Sequence, residues 1–61
     1  MKHLVMVFRK LYSGIYKWDY ACYVGGDWDT TGVCRFQTYR EAADAAIADG
    51  YRVYAGWLTE N

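Results

Sequence analysis

The chain has no proline, one histidine, two cysteines and no net charge. Each shortage excludes something. Seven basic and seven acidic side chains in 61 residues argue against a binder that works by neutralising phosphates, and equally against a polyanionic nucleic-acid mimic. No apolar run approaches the ~18 residues of a membrane-spanning helix, because Arg9 and Lys10 interrupt the first one. The same interruption leaves residues 1–7 short of a signal peptide, so the expected compartment is the cytoplasm, with no membrane partner. Two cysteines are too few for a disulfide scaffold. In a reducing compartment Cys22 and Cys34 are expected as free, buried thiols.

What is present is apolar and aromatic. Hydrophobic residues make up 54% of the chain and aromatics 20%, which excludes disorder. The length allows one domain, residues 1–61. A chain this short buries only about 60% of its unfolded surface, so its stability leans on dense aromatic packing or on oligomerisation.

Residues 4–12 are mostly β-branched, aromatic or long apolar, and read as a strand. Ser13-Gly14 is a two-residue hairpin turn, and residues 15–24 form the second strand. Residues 25–32 have the composition of a loop, and residues 33–37 read as a third strand. Then the period changes. Thr38-Tyr39-Arg40-Glu41 has the capping-box pattern, five alanines follow, and Gly50 stands where a helix ends. Residues 39–49 are therefore a helix, and residues 51–58 a last strand. The expected fold is α+β: a three-stranded antiparallel meander, one helix packed on one face, then a fourth strand (β-β-β-α-β). The last strand is expected beside the first, in the order 3-2-1-4.

The Ser13-Gly14 turn sets Val5 opposite Cys22, Val7 opposite Tyr20, Arg9 opposite Trp18 and Leu11 opposite Tyr16. A second hairpin centred on Trp28 would set Cys22 opposite Cys34 and Tyr20 opposite Phe36. Because side chains alternate, one sheet face carries Val5, Val7, Leu11, Tyr16, Trp18, Tyr20, Cys22, Val24, Cys34 and Phe36. The helix is expected to cover it through Tyr39, Ala42, Ala43, Ala46 and Ile47, with Arg40, Asp44, Ala48 and Asp49 pointing elsewhere.

The other face carries Leu4, Met6, Phe8, Tyr12, Ile15, Tyr23 and Val33 with Lys10, Lys17, Asp19 and Arg35. One helix cannot cover both faces, so an exposed apolar patch is expected there, and such patches mark interaction sites. The candidate partner-binding residues are Leu4, Met6, Phe8, Tyr12, Tyr23, Trp28 and Val33, with Trp28 as a loop-tip anchor. The alternative is that a register slip, or a loop folded underneath, buries them.

Residues with chemical potential are sparse. Cys22, Cys34 and His3 supply three zinc-ligand types, without a CxxC pair or a fourth ligand. Asp27, Asp29 and Thr31 imitate the opening of a calcium loop, but Thr38 stands where a bidentate Glu is required. His3 has no orienting partner and Ser13 lies on a distant turn, so no nucleophilic triad is expected. Asp19, Asp27 and Asp29 read as solvated carboxylates, and the Arg9 stem as packed on Trp18. The chain is accordingly expected to be no enzyme and to need no metal or cofactor.

In architecture and size the chain resembles small phage-encoded proteins that bind and inhibit a host or defence protein; the resemblance rests on build, not on a motif. It implies a small stand-alone protein-binding module that modulates a protein partner by occupying its surface. A homodimer through the same sheet face is compatible with that reading. The alternative is a small-ligand or single-stranded nucleic-acid binder, in which Lys10, Lys17 and Arg35 flank stacking aromatics; zero net charge counts against nucleic acid as partner.

Overall fold

The computed structural model describes residues 3–60. Its elements are β1 (Leu4–Tyr12), β2 (Ile15–Val24), a two-residue β3 (Asp27–Trp28), α1 (Tyr39–Ala48) and β4 (Arg52–Glu60). They form an α+β fold with one helix and a four-stranded mixed sheet in the order β3-β2-β1-β4.

The first hairpin has the expected register. Val5 faces Cys22, Val7 faces Tyr20, Arg9 faces Trp18 and Leu11 faces Tyr16. The two turn residues, Ser13 and Gly14, both have positive φ, at 51° and 83°. That is the backbone of a tight turn whose twist matches its strands. β4 lies beside β1 and parallel to it, so β1 is central. Val5, Val7 and Phe8, on both faces of β1, are buried.

The helix begins as its sequence dictates. Thr38 is extended and its hydroxyl oxygen accepts the Glu41 N–H at 3.1 Å, satisfying one of the donors a helix start leaves free. Ala42, Ala43 and Ala46 are the buried face. Their small side chains let the helix lie close over Val7, with Trp18, Tyr20, Phe36, Tyr39 and Val53 packed around the contact. Ile47, expected in that contact, is exposed. Asp49, expected to point away, accepts a hydrogen bond from the Tyr20 hydroxyl and so ties the helix end to β2.

The largest departure is the segment after β2. Residues 33–37 are not a strand; only Phe36 pairs, in a single bridge to Trp18. Between Trp28 and Phe36 the chain leaves the sheet plane and crosses the face opposite the helix. This strap packs Cys34 against Phe8 and Ala21. Ala21 is small beside Asp19 and Tyr23 on the same face of β2, and Cys34 packs over it. The strap makes few ladder bonds, so side chains supply the rest. The Tyr12 hydroxyl accepts the Cys34 N–H at 3.1 Å. The Lys10 ammonium donates to the Gly32 carbonyl at 3.0 Å, and the Thr30 hydroxyl to Glu60 at 2.9 Å. Arg35 grips Asp19 with two hydrogen bonds of 2.9 Å. Asp19 is only 6% exposed, and a carboxylate so placed is costly unless paired. Burying Phe8 gains about 1.5–3 kcal/mol, which extending the ladder would not have gained.

Candidate functional site

The strap covers the middle of the expected open face and leaves Leu4, Ile15, Tyr23 and Val33 exposed. Phe8, expected at its centre, is 2% exposed because the strap lies over it. Tyr12 and Trp28 are half-buried against the same cluster, and Met6 is half-buried. Trp28 is therefore not a free loop tip: it folds back between Tyr23, with ring centroids 5.0 Å apart, and Tyr54, at 6.2 Å. Leu4, Tyr23 and Val33 are exposed; Leu4 and Tyr23 line one hollow and Tyr23 packs on Trp28, whereas Val33 stands apart on the strap. The Tyr23 hydroxyl is turned to the Gly26 carbonyl, Leu4 sits at the far end of β1, and Val33 is 74% exposed. A loop folded underneath is thus what the structure has on this side.

Two of the three basic groups of that face are engaged as well. Lys10 is bonded to the strap and Arg35 to Asp19. The carboxylate and the Tyr20 hydroxyl hold the Arg35 proton more tightly than usual. Asp27 and Asp29 act as turn formers. Asp27 accepts the Trp28 N–H, and Asp29 accepts from the Thr31 hydroxyl and N–H. Those two bonds, the hydroxyl first, hold the Asp29 carboxyl below its ordinary range. The oxygens that imitate a calcium loop are thereby used locally.

Cys22 and Cys34 are free and stand on opposite sides. Cys34 lies under the strap with Ala21, whereas Cys22, one residue on in β2, alternates to the other face. The expected Cys22–Cys34 pairing is therefore absent. Cys22 and His3 share a shallow hollow of about 280 Å³ with Leu4, Tyr23 and Tyr51. Among the described residues no three metal-capable side chains come together.

A second exposed aromatic surface, besides Tyr23 and Tyr54 around Trp28, lies on the helix side near the hairpin turn. A ten-residue helix is about 15 Å long, whereas strands of nine and ten residues run about 30 Å. The helix N-terminus stops at Tyr39, whose ring meets Trp18 and Trp57 at 5.9 and 5.7 Å, while Trp18 and Trp57 meet at 5.5 Å. Beyond this triangle none of the described residues covers the sheet. Trp57 is 51% and Leu11 47% exposed, and Tyr16 is exposed beside them. Arg9 lies between: its guanidinium is 3.9 Å from the Tyr16 ring centre, 5.5 Å from Trp18 and 6.0 Å from Trp57. The charged group, not only the stem, covers an aromatic face. Its Nε donates to the Thr59 hydroxyl at 3.0 Å, which fixes the side chain.

Sequence reasoning placed Leu11, Tyr16 and Trp18 on this face but assigned the whole face to the helix. The signal was available in the lengths: the helix has half the reach of the strands. Trp57 carried no such signal, because a bulge in β4 decides its position.

Comparison of the chain with protein-family models, with curated proteins and with solved structures gives no match.

Proposed function

We propose that this protein is a binding module that modulates a protein partner by occupying its surface, and that it does so through Arg9, Leu11, Tyr16 and Trp57. The observation that supports the reading is the composition of the uncovered surface. Two aromatic rings, a leucine and a pinned arginine stand together on a rigid sheet. Trp, Tyr and Arg are the side chains that dominate binding energy in protein interfaces. Arg9 is tied to Thr59 and Trp57 packs on Trp18 and Tyr39, so these two lose less ordering entropy on binding.

The nucleic-acid alternative has less support. Two of the three basic groups it relied on are engaged, and Phe8 is buried.

The test is capture from the lysate of the native host, with wild type beside Leu11→Asp and Tyr16→Ser. Ile47→Asp, on the exposed outer side of the helix, serves as the control. Circular dichroism first checks that each variant folds. The expected result is one protein captured by wild type and by Ile47→Asp, and lost with the other two. Equal capture by all four would remove the surface from consideration, and no captured protein would overturn the reading.

A further inference from the structure

The outer strand β4 is the element whose surface is least used. Arg52–Glu60 contains Val53, Tyr54, Ala55, Trp57 and Leu58, yet none of its nine residues is buried. It runs parallel to β1 and has no neighbour among the described residues on its other side. Parallel strands are ordinarily covered, and a long free edge is ordinarily blocked by lysine or proline. β4 has neither. Its only charges stand at its two ends, Arg52 and Glu60, each four residues from Gly56.

We propose that β4 pairs antiparallel with β4 of a second copy of this chain, with Gly56 on the two-fold axis. Arg52 then lies opposite Glu60 of the second copy at both ends of the ladder. Val53 lies opposite Thr59, and Tyr54 opposite Leu58. Facing residues in a ladder share a sheet face, and these pairs obey that. Val53 packs on the helix side and Thr59 holds Arg9 there. Tyr54 meets Trp28, and Leu58 the Phe8 cluster, on the strap side. A slip of one residue would set helix-side against strap-side positions, and a slip of two would separate the charges. The Arg52 N–H is turned inward to the His3 carbonyl, so the N–H and C=O of Val53 point to the free side.

The residue at the axis also fits. Around Gly56 the register with β1 passes from Val5↔Val53 to Val7↔Trp57, so β4 is bulged at its centre. Gly56 has φ +94° and open space where a Cβ would stand. Two such positions can meet without side chains between them. The rival role of the bulge is to protect the edge from pairing, and that role makes a monomer.

Sedimentation of the purified full chain, up to about 0.5 mM, separates the two because dimerisation depends on concentration. The expected result is a dimer. Arg52→Glu sets like charges opposite each other at both ends and should weaken the dimer about tenfold or more. Glu60→Arg should do the same, although it also removes the Thr30 contact. An equimolar mixture of the two variants restores opposite charges at both ends and should restore association. So should the double variant alone. Circular dichroism verifies that each variant folds. A monomer at all concentrations overturns the proposal, as does a dimer indifferent to Arg52→Glu, or a mixture that associates no better than its components. Neither charged residue belongs to the proposed partner surface, so failure here leaves that reading standing, and the reverse also holds.

Discussion

The two faces of the sheet are covered in different ways. On the helix side the cover is regular. Helix α1 satisfies its own backbone, is capped by Thr38, and approaches Val7 through alanines. On the opposite side the cover is an irregular strap, and side chains anchored in the sheet hold it: Tyr12, Lys10, Asp19 and Glu60. A helix carries its hydrogen bonds with it. A strap borrows them from residues 16 to 30 positions distant in the chain. The helix side should therefore resist single substitutions at its contacts, whereas the strap side should loosen when one anchor is removed.

The largest expected effect is at Phe8, which the strap exists to cover. Phe8→Ala removes a fully buried ring from both the sheet and the strap, at a cost of about 3–5 kcal/mol. In a domain this small that is most of the stability. Denaturant unfolding should show a midpoint shifted strongly down or no cooperative transition. A loss under about 1 kcal/mol would mean that the strap does not pack on Phe8 in solution.

Arg35→Met is the sharper instrument. It leaves the Asp19 carboxylate buried and unpaired, at a cost of about 2–3 kcal/mol. Because the strap is held separately, that cost should appear first as local opening. The readout is thiol labelling. Cys34 is 1% exposed under the strap and should become about 30-fold more reactive, each 1.4 kcal/mol being about tenfold. Cys22, on the other face, should change little. If both thiols accelerate together, the strap opens only with the whole domain and the contrast between the faces fails.

Much of this fold was legible in the sequence, and the comparison of faces says why the rest was not. The Ser13-Gly14 turn fixed a register that the structure reproduces residue for residue. The Thr38 to Glu41 box and the alanine run fixed the helix, and the last strand lies beside the first as expected. Each of these is a local signal. The strap has none. Val33-Cys34-Arg35-Phe36 looks like a strand because it is β-prone. It leaves the sheet because Ala21 and Phe8 offer an apolar surface and Asp19 a charge, all on distant elements. The surface residues fell with it. Phe8, Tyr12 and Trp28 were expected in the open and lie under or against the strap. Leu11, Tyr16 and Trp57 stand exposed because the helix ends too soon to reach them.

On the helix side the anchors are weaker singly. Thr38→Ala removes the bond to the Glu41 N–H and should cost about 1 kcal/mol. Cys34 labelling should rise only as much as global stability falls, since the strap keeps all its anchors. A selective rise at Cys34 would mean that the two covers are coupled through Phe36, where strap and helix side meet.

The smallest effect expected is at Tyr20, and its sign can be read from pH. The Tyr20 hydroxyl donates to the Asp49 carboxylate, and that bond, followed by burial, raises the phenol above its ordinary value, with Arg35 opposing. A group whose folded value is raised contributes its full stability below the unfolded value of about 10. It loses that contribution as pH climbs through the folded value. The bond is solvent-exposed, so Tyr20→Phe should cost about 0.5 kcal/mol, the low end for a hydrogen bond, at about pH 7. Near pH 11 wild type has begun to lose the same bond, and the two proteins should converge. Denaturant midpoints at the two pH values test this. A gap that stays constant would mean that Tyr20 acts through its ring, which packs 5.7 Å from Tyr51, and that the end of the helix is held to the sheet by aromatic contact alone.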